Sequence, residues 1–175
     1  MTMEAPADEE FLLALLHTTP TVDGQRRDLL AEDADARRWL VERLGEASAP
    51  ADLGRLRGTR DTLQRVVAQE AGPEDLEDAL VEVARRPRMS ASGVEWHLDA
   101  PPGTEVAARA VLAWDALHRS ARSRLRRCAN PDCSLYLIDR SKSGNARWCS
   151  MTTCGNRMKA RRHYGRLKAD EAAGG

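Results

Sequence analysis

Two short segments hold all four cysteines of the chain: Cys128-Ala-Asn-Pro-Asp-Cys133 and Cys149-Ser-Met-Thr-Thr-Cys154. Each segment can form a turn that aims two thiolates at one point, and the fifteen residues between the segments can form a hairpin that brings the two turns together. Four thiolates form a closed tetrahedral ligand set with no open position for water, so the spacing predicts one structural zinc ion and no catalytic zinc. Disulfides or unrelated buried thiols are the alternative interpretations.

The residues around the cysteines predict a small module built on the metal. Asn130-Pro131-Asp132 is a typical turn sequence, residues 135–138 read as a short strand, and residues 156–168 lack proline and read as a helix. A cysteine turn, a hairpin and a helix whose first turn carries the last ligand make a treble-clef arrangement. A module of about forty residues rarely folds alone, so we expect the zinc ion to supply much of its folding free energy.

The preceding residues show the apolar periodicity of helices. This pattern predicts helices at about residues 8–18, 35–44 and 53–67, one that begins at Pro73, and a long one from Thr104 through Leu125 directly to the first cysteine. An alternating segment, residues 89–98, predicts a small hairpin. The aromatic residues Trp39, Trp96 and Trp114 are expected in the core.

The expected fold class is therefore α+β, with a mainly helical N-terminal domain that includes a small β-hairpin, followed by a treble-clef-like zinc finger with four cysteine ligands. The expected boundaries are residues 1–126 for the helical domain, 127–168 for the finger and 169–175 for a flexible tail. A chain of 175 residues has the length of one ordinary domain or of one domain with a small module attached.

The charges are divided unequally along the chain. There are 27 basic and 27 acidic residues, a net charge of zero. Residues 122–168 hold 13 basic and 2 acidic residues, an excess of +11, whereas residues 1–121 hold 14 basic and 23 acidic residues, or −9, and residues 169–175 add −2. A zinc ion with four thiolates contributes −2, so the finger stays near +9, which favours a polyanionic partner.

Composition limits the other classes of protein. Apolar residues make up 42% and charged residues 31% of the chain, as in ordinary globular proteins. We expect no membrane span, because no stretch of about 18 apolar residues occurs. The acidic first ten residues and the short apolar run at 11–16 do not form a secretory signal, so we expect a cytoplasmic protein whose thiols stay reduced.

The cysteine module resembles a known family, the CGNR zinc finger, over about residues 127–168. The resemblance is carried by the first cysteine segment, by Leu137-Ile-Asp139-Arg-Ser141, by Arg147-Trp-Cys-Ser-Met151 and by Cys154-Gly-Asn-Arg157 with Lys159. In that family the finger follows a mostly helical region called the ABATE domain, and the proteins are regarded as bacterial, stress-linked transcription regulators.

The N-terminal region is similar to the ABATE domain at fewer positions. These are Trp39-Leu40, Arg60 on the following helix, the hairpin segment from Gly93 to Trp96, and the helix before the first cysteine. Family members usually carry an Asn-Thr pair after the opening helix, where this chain has His17-Thr18.

The basic charge and the resemblance together predict DNA as the partner. The candidate nucleic-acid contacts are the basic residues of the finger: Arg140, Lys142, Arg147, Arg157, Lys159, Arg161, Arg162 and Arg166. On the last helix, Ala160, Tyr164 and Leu167 share a side and are expected to pack inward.

Other interpretations of the basic residues stay open. Arg157 could pair with Asp139, and the remaining basic residues could form a solvated face or a surface for the acidic N-terminal region. The alternative function is an adaptor whose zinc module binds an acidic protein. The N-terminal domain is expected to sense a small-molecule effector or a protein partner.

No catalytic motif is present. The chain lacks a glycine-rich phosphate loop, an HExxH segment and a Gly-x-Ser-x-Gly segment. Nucleases built on the treble clef need a histidine at the end of the hairpin, where this chain has Asp139-Arg140. We therefore expect no enzymatic activity.

Overall fold

The computed structural model describes residues 5–46, 51–120 and 124–173, with side chains described for 8–46, 51–120 and 124–167. The elements are helices α1 (Ala5–Leu16), α2 (Asp33–Leu44), α3 (Leu53–Val67), α4 (Glu105–Arg119) and α5 (Asn156–Ala173), a 3₁₀ helix (Pro73–Leu80), and strands β1 (Thr21–Val22), β2 (Gln25–Arg26), β3 (Ala84–Ser90), β4 (Gly93–Asp99), β5 (Arg124–Arg127) and β6 (Tyr136–Asp139). The strands form three antiparallel pairs, β1–β2, β3–β4 and β5–β6. The predicted α+β fold class is confirmed.

The core lies where α1 packs against α4 and α3. Leu12, Leu15 and Leu16 of α1 are fully buried, as is Leu63 of α3. Each buried leucine stabilises the fold by about 1.5–3 kcal/mol through loss of apolar contact with water. Trp114 of α4 is buried in this core, as expected.

The predicted long helix before the first cysteine is wrong in its second half. Helix α4 ends at Arg119, and β5 follows at Arg124 and pairs with β6. Leu125 continues the helical apolar spacing, but it also lies opposite Ile138 in the strand pair and packs on the edge of the core. Strand β6 is largely buried, so its backbone N–H and C=O groups need partners, which β5 supplies. Ala121 and Arg122 lie outside the described residues.

The hairpin predicted for residues 89–98 is longer, β3 and β4 together, and it is exposed. Its two-residue turn ends at Gly93, whose φ of 121° favours glycine. The register puts Trp96 beside Pro87, and Met89 beside Val94, on one face. The expectation that Trp96 is a core residue is wrong: it is 59% exposed, because no described element covers this face.

The last helix also differs from expectation. Ala160, Tyr164 and Leu167 do not pack inward, and Tyr164 and Leu167 are 65% and 45% exposed. Helix α5 packs chiefly on the helical turn Met151–Gly155 that precedes it. Its later turns extend away from the finger and are exposed to solvent on all sides. None of the helices in the described ranges is long and apolar enough to span a membrane.

Candidate metal centre and basic surface

The four cysteine sulfur atoms meet at one point. All four Sγ atoms lie within 4.8 Å of one another, and the distances from Cys149 Sγ to Cys133 Sγ and to Cys154 Sγ are both 3.7 Å. A tetrahedral zinc ion bound at about 2.3 Å from each sulfur requires sulfur atoms about 3.8 Å apart. The donor set and its spacing therefore fit zinc.

Asn130 links the first cysteine turn to the second cysteine pair. The side chain is fully buried; its Nδ2 donates to Cys154 Sγ at 3.4 Å and its Oδ1 accepts from the Asp132 N–H at 3.2 Å. Its own carbonyl accepts from the Cys133 N–H at 2.9 Å, which closes the turn. The local sequence predicts Asn130 only as a turn residue; its contact with a ligand has no local signal, because it crosses 24 positions of the chain.

The second cysteine pair lies at the start of α5. Ser150 accepts from the Thr153 N–H at 3.2 Å and so begins the turn that carries Cys154. The Cys149 N–H points at Cys128 Sγ at 3.5 Å, so the backbone of one pair faces a sulfur of the other. An N–H group near a thiolate stabilises its negative charge, which helps four ligands share one ion.

Protons compete with the metal for the four thiolates. Burial, together with the neighbouring thiols, raises the pKa of Cys149, and burial raises the pKa of Cys133 as well. Burial also acts on Cys154, but the hydrogen bond from Asn130 and the contacts with the other thiols outweigh it and lower its pKa. Because zinc binds thiolates, occupation of the site releases protons and weakens in acid.

Two family models match the chain. The model described as "CGNR zinc finger" matches residues 124–167, and the ABATE model, described as "Putative stress-induced transcription regulator", matches residues 9–130. The ABATE match covers more than half of the chain. The chain belongs to the ABATE family. Comparison with curated proteins finds no match.

Four clustered cysteines within a CGNR finger indicate that this ABATE protein binds one zinc ion, as the spacing predicted. Cys128 and Cys154 are buried and Cys133 and Cys149 are partly buried, so the site is largely shielded from solvent. A zinc ion bound by these four thiolates would hold the two cysteine pairs together and so have a structural role. Both matched families are zinc-finger or regulator types and not enzyme families.

The basic residues named as candidate nucleic-acid contacts are all exposed. They differ in their neighbours: some pair with an acidic residue, one lies beside an aromatic ring, and the others have neither contact. Arg140 pairs with Glu9 of α1, Arg161 pairs with Asp132 at 2.6 Å, and the Arg147 guanidinium lies 5.2 Å from the centre of the Trp148 ring. The others form no ion pair with a described side chain: Lys142, Arg157, Lys159, Arg162 and Arg166.

Asp139 organises the loop that carries Lys142. Its buried carboxylate accepts from the Ser141 hydroxyl at 2.6 Å and from the N–H groups of Ser141 and Ala146, each at 3.0 Å. These hydrogen bonds, the one from the Ser141 side chain first, hold the pKa of Asp139 below its usual value. Its nearest described cation is Arg126 at 3.7 Å, so Asp139 does not pair with Arg157.

His17 joins the helical region to the finger. Its Nε2 lies 3.0 Å from both the N and the O of Tyr136 on β6. Burial lowers the pKa of His17, although the backbone of Tyr136 opposes this, so the neutral ring is favoured and its Nε2 accepts from the Tyr136 N–H. His17 is thus one of the links between the two regions.

A second buried group holds α3 to the segment after α1. Arg60 is 2% exposed; its two terminal nitrogens donate to the two carboxylate oxygens of Asp28 at 2.6 and 2.8 Å, and its Nε donates to Asp61 at 2.9 Å. Thr18 accepts a further bond at 3.3 Å. The sequence pointed to Arg60 only through the family resemblance, since Asp28 and Thr18 lie 32 and 42 positions away in the chain.

Proposed function

We propose that this ABATE protein is a cytoplasmic transcription regulator that binds DNA through its zinc finger. The observation that carries the proposal is the last helix: Arg157, Lys159, Arg162 and Arg166 are exposed on α5 and form no ion pair with a described side chain. Helix α5 begins at Asn156, two residues after the zinc ligand Cys154, so in this proposal the metal fixes its direction.

An exposed basic helix suits DNA for two physical reasons. A single α-helix fits the major groove of B-DNA, where arginine can bind guanine edges. Cations without an acidic partner are free to neutralise phosphates, and the release of counterions from the DNA then drives binding. Lys142, on the loop ordered by Asp139, and Arg147 are exposed and supply further contacts in this proposal.

In the proposal the two regions have separate roles. The finger, residues 127–168, contacts DNA, and the helical region, residues 1–126, senses a small-molecule effector or a protein partner. The contacts of Tyr136 with His17 and of Arg140 with Glu9 join the two regions, so a change in one can reach the other.

A second candidate function is an adaptor that binds an acidic protein. The exposure of Tyr164 and Leu167 on α5 favours it, because apolar side chains at helical spacing dock into grooves of partner proteins. Capture of a protein partner that survives nuclease treatment, without retardation of any duplex, would select this function.

The test is a fluorescence anisotropy titration of zinc-loaded protein with labelled duplexes at several salt concentrations. We expect the double variant R162Q/R166Q to bind more weakly. The negative slope of log K against log salt should become shallower by about 1.8, which is about 0.9 for each lost phosphate contact. The matched control is R85Q/R88Q, which removes the same charge from exposed positions on β3.

The control should keep the wild-type slope. Absence of binding to any duplex at low salt contradicts the DNA-binding proposal. An equal loss in both double variants contradicts the assignment of the contacts to α5.

A further inference from the structure

A polar pocket of about 650 Å³ lies where the helical region meets the finger. One side is lined by the β1–β2 hairpin and α3, through residues such as Thr21, Arg26 and Arg60, and the other by the finger, through Arg127 and Tyr136. Its volume falls in the range of about 300–1,000 Å³ that small-molecule sites occupy.

One wall of the pocket is rigid. Arg60 is buried and its donors are taken by Asp28, Asp61 and Thr18. Gln64 is 8% exposed and donates to the Leu16 carbonyl at 2.9 Å and to the Thr19 hydroxyl at 2.8 Å. These groups satisfy one another, so they shape the pocket and leave recognition to other residues.

The other groups have unused hydrogen-bonding capacity. The Arg127 side chain has no hydrogen bond or ion pair with a described residue. Arg26 donates from one terminal nitrogen to Gln64 at 2.8 Å, and that same nitrogen lies 3.9 Å from Asp61, which leaves other donors of its five N–H groups available.

Tyr136 also lines this pocket. The residue is 5% exposed, and its hydroxyl has no partner among the described residues. No fully buried side-chain nitrogen or oxygen in the described ranges lacks a partner, so this hydroxyl is accessible to solvent, and Tyr136 lines the pocket. Tyr136 lies opposite Arg127 in the β5–β6 register, which places the two side chains on one face of the strand pair.

The charges of the pocket favour an anion. Four arginines and three carboxylates line the pocket, a net charge of +1: Arg60 binds both Asp28 and Asp61, and Arg26, Arg65 and Arg127 stand against Glu70. Arginine matches the planar geometry of a carboxylate or a phosphate group, and a tyrosine hydroxyl can donate to the same oxyanion.

We infer that this pocket binds a small molecule through a carboxylate or phosphate group, with Arg26, Arg127 and the Tyr136 hydroxyl as the donors. Arg26 belongs to the helical region, and Arg127 immediately precedes the zinc ligand Cys128. An oxyanion bound to both arginines links the two regions, and the ligand thereby stabilises one arrangement of the finger. This regulatory consequence rests on the proposed DNA-binding function, whereas the binding site itself does not.

The test is an NMR titration of ¹⁵N-labelled, zinc-loaded full chain without DNA. Inorganic phosphate is the probe in one arm and succinate in the other, with sodium chloride used to keep the ionic strength constant. We expect the amide signals of Thr21 and Tyr136 to shift in a saturable way in at least one arm. The arm that saturates distinguishes a phosphate-bearing ligand from a carboxylate.

The variants locate the site. Arg127→Gln should raise the Kd at least tenfold and Tyr136→Phe about fivefold, and the phenylalanine ring keeps the packing of the tyrosine. Arg124→Gln is the matched control, since it removes the same charge from an exposed position of the same strand outside the pocket, and its Kd should stay within twofold. Zinc content and circular dichroism show whether each variant is folded.

Saturable binding that is weakened by Arg127→Gln and Tyr136→Phe alone supports the inference. Absence of saturable shifts with both phosphate and succinate, or an equal rise in Kd for the Arg124→Gln control, would overturn it. Because no DNA is present, failure here is distinguishable from failure of the DNA-binding proposal.

Discussion

Replacement of Arg60 by methionine should destabilise the fold far more than removal of a surface arginine. The methionine fills similar space but leaves Asp28, which is bound at two oxygens, and Asp61 without their buried partner. Removal of one partner from a buried pair costs about 3–5 kcal/mol. The side chains of Asp28 and Asp61 are 33% and 54% exposed, so water compensates in part and we expect a loss of about 2–3 kcal/mol.

Differential scanning calorimetry of zinc-loaded protein measures this loss. For a chain of this length, 1 kcal/mol corresponds to a shift in Tm of about 2–4 °C, so the Tm should fall by about 5–10 °C. Arg38→Met is the matched control, because Arg38 pairs with Asp35 across an exposed helix surface, with side chains 66% and 51% exposed. Such pairs contribute about 0–1 kcal/mol.

The pH dependence gives a second check. Partial burial raises the pKa of Asp28, but the hydrogen bonds from Arg60 and the Leu30 N–H outweigh it and hold the pKa below its usual value. A carboxyl group with a lowered pKa in the folded state stabilises the fold above the pKa of the unfolded chain and loses this effect as the pH falls through the folded pKa. The difference between wild type and Arg60→Met should therefore narrow below about pH 4. Equal Tm shifts for Arg60→Met and Arg38→Met would refute the role of Arg60 as a buried link.

Two further predictions concern the metal and the link between the regions. Removal of zinc with a chelator should unfold the finger, with loss of the circular dichroism signal of the 18-residue α5 and retention of that of α1 to α4. Cys128→Ser should reproduce this result, and an unchanged helix signal in metal-free protein would contradict it. For His17, whose pKa is lowered in the folded state, the unfolded chain takes up the proton first, so the wild-type Tm should fall as the pH drops through 6.5. His17→Asn, which removes the titrating ring, should flatten this dependence, whereas His118→Gln, at an exposed position, should not.

The metal centre could be predicted from the sequence because the residues that form it lie in two short segments. Two cysteine segments of six residues each define the donor set and the turns, and a tetrahedral ion accepts little else. The zinc ion, the fold class and the families were predicted in this way. Most helices were predicted as well, because an apolar stripe at helical spacing buries one face wherever the helix packs.

The errors fall where partners far apart in the chain decide the structure. Leu125 fits a helix by its spacing, but the buried strand β6 requires a partner for its backbone, and the segment becomes β5. Trp96, Tyr164 and Leu167 read as core residues by type and spacing, yet the described elements place nothing over them. Apolarity alone does not show whether a second surface exists to bury a side chain.

The local sequence therefore determined the zinc ligands, the helices and the segregation of charge. Only the tertiary structure decided which basic side chains lack an acidic partner, and only it placed Arg26, Arg127 and Tyr136 around one pocket. The physical reason is that hydrogen bonds and ion pairs act over a few ångströms in space, whatever the separation along the chain. The spacing of a cysteine pair largely determines the geometry of its turn, whereas a pocket between two regions forms only when both regions are folded and packed against each other.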